Sequence, residues 1–287
     1  RLKPWGYPAQ CIQTGQMKSI SELKATLREV DKSKYPELDN YTKDDIWKDI
    51  GPGGLYLVSL LAKELSLHPK SLVLDLGCGN TESSLFLAHN YKVKVIAVDL
   101  WRDPSDNAVR IESRGHRDNI IPMRFDASKP LSFAEEYFDA ILCINNFNFY
   151  GTNITVVDRI ARHLKKDGLF CSGGECLNEE FTPDQIANPP DVYNFAKPVW
   201  EEDFLTSHSP GWWADHLEQS KELELVSCKE LEDGQRFYEE QALLSEPEGY
   251  FGLDAQRARE LEIRQIEYGR ENKPYMTVYQ LVAKRRS

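Results

Sequence analysis

The stretch that most constrains this chain runs from Ser71 to Trp101. It opens on the apolar run Leu72-Val73-Leu74-Asp75-Leu76 and breaks at Gly77-Cys78-Gly79-Asn80-Thr81. A second apolar run, Val93 to Val98, then ends on Asp99. Short apolar runs bounded by turn residues read as buried strands of a parallel sheet. Two glycines in the break allow a tight turn and a close approach of backbone to a ligand, at φ angles that side-chained residues resist. Thr81 or Ser83 is expected to cap the helix that follows, with Glu82 in its first turn and Leu85, Phe86 and Leu87 on its buried face. The unit is strand, glycine turn, helix, strand. Its closing carboxylate stands where, in dinucleotide-type units, an acid accepts hydrogen bonds from ribose hydroxyls.

The dinucleotide fingerprint would place a third glycine near position 82, and Glu82 stands there instead. A carboxylate in the first turn of the helix also repels a pyrophosphate, which seeks those free N–H groups. The expected ligand is therefore a nucleoside without phosphates. Asp75-Leu76-Gly77-Cys78-Gly79 followed by Val98-Asp99 resembles the first motif and the ribose acid of class I S-adenosylmethionine-dependent methyltransferases. The resemblance implies an α/β, Rossmann-like, doubly wound sheet of seven strands, mostly parallel with an antiparallel last strand, and a helical or loop lid. It implies S-adenosylmethionine as cofactor, held by Asp75, Gly77, Cys78, Gly79, Asp99 and Leu100. Cys78 is read there for its small size rather than its thiol. Another Rossmann-like nucleotide site, or an inactive scaffold, is the alternative.

Composition narrows the partners. A net charge of -11 argues against a nucleic-acid partner, which needs a basic stripe over the phosphates, and Lys284-Arg285-Arg286 is too short to supply one. No apolar run reaches the roughly 18 residues of a membrane span, and the polar, proline-interrupted start reads as no secretory signal. Six cysteines, at 11, 78, 143, 171, 176 and 228, have no CxxC spacing. They read as reduced thiols of a cytoplasmic protein, with neither a disulfide framework nor a metal site. At 287 residues and 41% hydrophobic content, one large domain with lid insertions is the expectation. Residues 1–50 read as a helical cap, 51–176 as the cofactor-binding core, and 177–287 as the rest of the same domain, with insertions at 177–216 and 233–270.

In chain order, Ser19 to Val30 reads as an amphipathic helix, Tyr35 to Asn40 as a turn-rich link, and Tyr41 to Trp47 as a short helix capped by Thr42. The loop Gly51-Pro52-Gly53-Gly54 precedes a buried helix, Leu55 to Leu65. By resemblance, Tyr41, Trp47 and this loop, Gly53 included, close on the methionine end of the cofactor; a plain helix-to-helix turn is the alternative. Asn107 to Arg114 is expected as a helix and Ile120 to Phe125 as the third strand, ending at Asp126-Ala127. An acid followed by a small residue resembles the family's adenine-binding position, although Asp126 also reads as a helix cap. Phe138 to Ile144 is the fourth strand. It empties into Asn145-Asn146-Phe147-Asn148-Phe149-Tyr150-Gly151, and loops at the carboxyl ends of such strands line the ligand crevice. Asn145 is expected to accept a hydrogen bond from the methionine ammonium, Tyr150 to face substrate and Phe147 to lie in the core.

Thr155 to Leu164 reads as a helix closed by Lys165-Lys166-Asp167-Gly168, and Leu169 to Ser172 as the fifth strand, with Glu175 at its carboxyl end. The basic, acidic and glycine pattern resembles the "LKPGG" stretch of the family, without the proline and second glycine. The segment from Leu177 to Pro210 is long and rich in aromatics, which argues for function over disorder. Trp212 and Trp213 point to different faces of the next helix, so at most one is buried. Leu223 to Leu231 and Tyr275 to Ala283 read as the last strands. They flank a charged helical region, Asp233 to Gly269, that is broken near 247–252 and has a mostly solvated face.

Methyl transfer is an in-line displacement that requires an acceptor held about 3 Å from the methyl and water kept out. An acceptor hydroxyl, acidic carbon or protonated amine needs a base; a thiolate or neutral amine does not. The candidates are His208, because histidine titrates near neutral pH, and Glu175. A loop histidine bonded to its own backbone and a solvated carboxylate are the plain readings of the same residues. His216 is read as structural. The combined expectation is a methyltransferase acting on a small molecule. A non-enzymatic binder of the same cofactor fits the core residues equally. A protein methyltransferase would instead show an open acidic groove.

Overall fold

The computed structural model describes residues 18–27, 31–47, 50–193, 206–244 and 253–287. Seven strands form one sheet: β1 (Leu72–Leu76), β2 (Lys94–Asp99), β3 (Ile120–Arg124), β4 (Phe138–Ile144), β5 (Leu164–Leu177), β6 (Leu223–Glu230) and β7 (Met276–Arg285), in the order β3-β2-β1-β4-β5-β7-β6. β1 to β5 are parallel, and β7 lies antiparallel between β5 and β6. This is the doubly wound arrangement expected from the sequence. Strand order reverses between β1 and β4, and the crevice at their carboxyl ends is the ligand position in such sheets.

Alternation along the strands builds the two faces. Val73, Val95, Ala140 and Leu142 pack beneath α3 (Gly54–Glu64) and α4 (Glu82–Tyr91), with Leu57, Leu61, Phe86 and Leu87. Leu74, Leu76, Ile96 and Ile141 face the other way, toward α6 (Ile154–Ala161) and α8 (Pro210–Leu217), with Val157, Ile160, Trp213 and Leu217. The shorter helices are α1 (Ile20–Ala25), α2 (Lys43–Trp47), α5 (Pro104–Ser113) and α7 (Pro183–Ala187). α9 (Gly234–Leu244) and α10 (Ala255–Glu271) lie between β6 and β7. The expected break at 247–252 falls outside the described residues.

Several boundaries differ from the sequence reading. Helix α1 is short, with Ser19 and Glu22 forming a reciprocal capping box. Thr42 caps α2 as expected, its Oγ1 accepting from Asp45 N at 3.2 Å. α5 begins at Pro104 rather than Asn107, because Asp103 accepts from Ser105 N and proline suits the first turn. Thr81 sits at the N-cap of α4 with φ of 69° and makes no side-chain cap. Its hydroxyl donates to Asn80 O, while Ser83 and Ser84 turn inward to Asp75.

α6 ends at Ala161, three residues before the expected Leu164. The fully buried Leu164 already pairs with Phe138 as the start of β5. Lys165-Lys166-Asp167-Gly168 then bulges out of the strand before pairing resumes at Ala140 and Leu169, with Asp167 at φ of 62° and Lys165 paired to Asp139 at 2.6 Å. β5 continues through Gly173 and Gly174 because β7 pairs with it as far as Leu177. Glu175 is accordingly an in-strand residue opposite Val278, not a strand-end one. α10 is less solvated than its charge suggests. Arg259 is buried, and Leu261 and Ile266 pack into apolar clusters, the latter with Leu23 of α1 and Leu243 of α9.

Candidate functional site

The glycine turn is tied to β2 by its own backbone. Gly77 N and Cys78 N both donate to Val98 O, at 2.7 and 2.9 Å, and Gly79 N donates to Asp99 Oδ2 at 2.9 Å. Gly77 has φ of 79° and Gly79 of 52°, so the path needs the conformational freedom of glycine. Asp99 Oδ1 accepts from Trp101 N and Arg102 N at 2.8 and 2.9 Å. A carboxylate has about four lone-pair sites, so three backbone donors leave room for one more. Leu100 beside it is exposed. Trp101 is 72% exposed and stands edge-on to Phe149 at 5.6 Å, bridging the ends of β2 and β4.

Asp75 lies at the bottom of the turn and is fully buried. Both Ser83 and Ser84 hydroxyls donate to its Oδ2 at 2.6 Å, while Oδ1 has no hydrogen-bond partner among the described residues. Burial pushes its carboxyl up to about 6, against the lowering effect of the two hydroxyls. A buried acceptor with an unfilled oxygen suits a donor cation such as an ammonium. Cys78 is buried, and its thiol is pushed far above the usual range by that burial, which makes it inert as a nucleophile.

Asp126 stands after β3, where its Oδ1 accepts from Ser128 N and Oγ at 2.9 and 2.6 Å. The Ser128 hydroxyl and amide hold its carboxyl below the usual range. Its side chain closes a turn rather than capping a helix, with Ala127 half-buried next to it.

The loop after β4 does different work from that expected. Asn145, at φ of 55°, donates through Nδ2 to Ile50 O at 2.7 Å and Pro52 O at 2.9 Å, and its Oδ1 accepts from Glu175 N at 3.2 Å. It staples the 50–53 loop to β4 and β5, and the Glu175 amide takes one of the two lone pairs of the oxygen expected to accept an ammonium. Gly53, at φ of 92°, caps α3 within that stapled loop. Tyr150 is corrected too. It is buried, and its hydroxyl lies 2.8 Å from Asn146 Oδ1 and 3.2 Å from Cys143 Sγ, so it faces inward rather than toward a substrate. Phe147 is in the core, as expected.

Tyr41 lines a cavity with Glu82 and Leu85 of the first turn of α4, and its ring lies 6.1 Å from Phe86. With Tyr35, Tyr56 and Glu240, Tyr41 and Trp47 line a second cavity of about 550 Å³, where Trp47 packs edge-on to Tyr56 and its bulk is buried. The Trp47 ring packs on Tyr56 of α3 and Phe237 of α9, whereas the Tyr41 hydroxyl accepts from Asn90 Nδ2 of α4 at 3.4 Å.

Asn146 is a residue the sequence reading left without a role. Its Nδ2 donates to Ile144 O at 2.7 Å and Gly77 O at 3.1 Å, and its side chain fills the space a Cβ at Gly77 would take. The two amides in succession after a buried strand were the available signal.

His208 is held by a group sequence reasoning missed. Its Nδ1 lies 3.0 Å from Glu180 Oε2, and Glu180 Oε1 accepts from Ser209 N at 2.6 Å. The ring stacks on Trp212 at 3.5 Å and 7°. Trp212 in turn stacks on His216, whose Nε2 contacts Gly151 O at 2.9 Å. Trp213 is buried against Phe147 and Trp212 is half-buried, as the two-faced pattern required. Ser207, Asn146, Gly174 and Glu175 share the wall of one small cavity, which brings the His208 segment to the ends of β4 and β5. Among the described residues no group of three or more His, Cys, Asp and Glu is placed to hold a metal, and no helix is long and apolar enough to cross a membrane.

Residues 73–168 match the family described as "Methyltransferase domain". No curated protein matches the sequence. Among solved structures, the chain resembles a candidate sarcosine dimethylglycine methyltransferase of Galdieria sulphuraria at 18% identity and a TM-score of 0.62, over 80% of this chain and 84% of that one. It resembles the geranyl diphosphate C-methyltransferase of Streptomyces coelicolor A3(2) at 15% identity and a TM-score of 0.61, over 88% and 97%. The cyclase SpnF shares the fold as well, at 17% identity and a TM-score of 0.61, over 80% of each chain.

Proposed function

We propose that this chain, whose residues 73–168 form a methyltransferase domain within a class I methyltransferase fold, transfers a methyl group to a small-molecule acceptor. The family uses S-adenosylmethionine, whose sulfonium supplies an electrophilic methyl and a neutral thioether leaving group. A shared fold with a cyclase means that the reading rests on the site. The observation that carries it is the pairing of the locked turn with two acids: Asp99, with one lone-pair site left beside Gly79 N, and Asp75, with its unfilled buried oxygen.

The roles follow from that geometry. Asp99 binds the ribose through its remaining lone-pair site, the side-chain-free Gly77–Gly79 turn lets the nucleoside approach the backbone closely, and Leu100 and Asp126-Ala127 flank the base. Asp75 Oδ1 receives the ammonium. Asn145 acts through the 50–53 loop, keeping Gly53 and its neighbours against the crevice. Glu175 and His208 stand on the acceptor side. The aromatic lining and the scarcity of basic groups there suit an acceptor that is partly apolar and not multiply anionic.

Parallel calorimetric titrations with S-adenosylmethionine, S-adenosylhomocysteine and NAD test the reading. Binding of the first two and not the third is expected. Binding of NAD alone would show that the turn takes a dinucleotide, and the methyl-transfer mechanism would fall with it.

A further inference from the structure

The surroundings of His208 point to the kind of acceptor, an inference that rests on the methyl-transfer reading above. Glu180 follows β5 and uses both of its oxygens, one on His208 Nδ1 and one on the Ser209 amide. Burial pushes its carboxyl up, but the hydrogen bonds from His208 and Ser209 outweigh this and hold it below the usual range. An ionised carboxylate only accepts, so the shared hydrogen sits on Nδ1, and in the neutral ring the lone pair is then on Nε2. Rotation of the ring is blocked by Trp212 flat against one face and by Trp213 edge-on at 5.8 Å. Ser209 fixes the start of α8 by accepting from Trp212 N at 3.3 Å, and His216 braces the far face of Trp212. Among the described residues Nε2 of His208 has no hydrogen-bond partner, and the side chain retains 16% exposure.

We infer that Glu180 is the positioning residue of a proton-accepting pair whose base is Nε2 of His208. The acceptor is then a small molecule whose attacking atom must lose a proton, a hydroxyl or an acidic carbon, rather than a thiolate or a neutral amine. For a hydroxyl, the oxygen lone pair forms the new bond to the methyl carbon. The carbon–sulfur bond breaks with its electrons passing to sulfur, and the hydroxyl proton passes to Nε2. The resulting imidazolium is stabilised by the Glu180 carboxylate at 3.0 Å. A pre-fixed tautomer means that no ring flip is needed before the proton moves.

Long-range nitrogen–proton spectra of the labelled protein saturated with S-adenosylhomocysteine test the pair without an acceptor, with His208→Asn identifying the signals. The expected spectrum places the hydrogen on Nδ1 in the wild type. In Glu180→Gln the side-chain amide can donate to Nδ1, and the hydrogen shifts toward Nε2. A wild-type hydrogen on Nε2, or identical spectra in both proteins, would overturn the inference.

The second measurement follows label from methyl-tritiated S-adenosylmethionine into a protein-free small-molecule extract of the source cells. Glu180→Gln is expected to lower the initial rate about 10-fold or more and His208→Asn further, within the roughly 10²–10⁴-fold range of general base catalysis, at unchanged S-adenosylhomocysteine affinity. Methyl found on oxygen or carbon supports the assignment, and methyl on sulfur or an amine overturns it. A wild type that binds cofactor but labels nothing overturns the methyl-transfer reading itself, while the spectra still judge the pair.

Discussion

The amide of Gly79 donates to Oδ2 of Asp99 at 2.9 Å, so the glycine turn and the acid at the end of β2 hold each other in place. The same carboxylate orders the two residues after β2 through Trp101 N and Arg102 N. Asp99 is thus a structural clamp, and under the proposed function it is a ligand acceptor as well. Asp99→Ala removes three charge-assisted acceptor contacts, and a loss of 10-fold or more in S-adenosylhomocysteine affinity is expected, while His208→Ala spares it. Calorimetry on the two variants decides; equal affinity in the Asp99 variant would show that the nucleoside lies elsewhere.

Gly77 is held by conformation and by space. Its φ is 79°, and a Cβ there would lie 2.4 Å from the Asn146 side chain. Gly77→Ala is expected to lower stability by roughly 2–4 kcal/mol, the positive φ accounting for about 1–2 of that. In an Asn146→Ala background only the backbone part should remain. Denaturant unfolding of the four proteins measures the difference, and an undiminished cost in the double variant would rule out the steric account.

Asp75 makes the free protein pH-sensitive. Its carboxyl is raised from the usual value near 3.8 to about 6 by burial, so the folded chain prefers it protonated. Its contribution to stability is therefore fullest below about pH 4 and is lost as pH rises toward about 6, by roughly 2–3 kcal/mol. Asp75→Asn should remove this component from the melting temperature measured across that window; parallel wild-type and variant curves would sink the idea. If an ammonium binds Oδ1, it favours the ionised form, and a proton is released on cofactor binding near pH 6. Titrations in buffers of different ionisation enthalpy detect that proton.

Asn145 joins segments far apart in the chain, donating to Ile50 O and Pro52 O. Asn145→Asp sets carboxylate oxygens against two carbonyl oxygens. It should destabilise more than Asn145→Gly, which loses the same bonds but suits the φ of 55°. Limited proteolysis at the 50–54 loop and thermal unfolding report the two effects. A glycine variant less stable than the aspartate one would count against the staple.

The βαβ unit was legible in the sequence because what defines it is local. Apolar runs set the strands, glycine sets the turn, and Asp99 follows Gly79 by twenty residues along a path that two strands and a helix can take in few ways. The seven-stranded sheet with an antiparallel last strand was an expectation carried by the family resemblance, and the structure has it. Leu164, a buried apolar residue that claimed a place in β5, shows where local reading stops: burial against Phe138 overrode the glycine that read as a helix end. The same holds for Tyr150, whose hydroxyl turned inward to Asn146.

The sequence by itself determined the first βαβ unit, its two strands, its glycine turn and the places of Asp75 and Asp99, since each depends on backbone conformation and burial within some thirty residues. Only the tertiary structure decided that Asn146 covers Gly77, that Asn145 clasps the 50–53 loop and that Glu180 orients His208. Those pairs lie 69, 95 and 28 residues apart. A side-chain hydrogen bond at such separation exists only once packing has brought both groups to the same end of the sheet, and no periodicity along the chain encodes it.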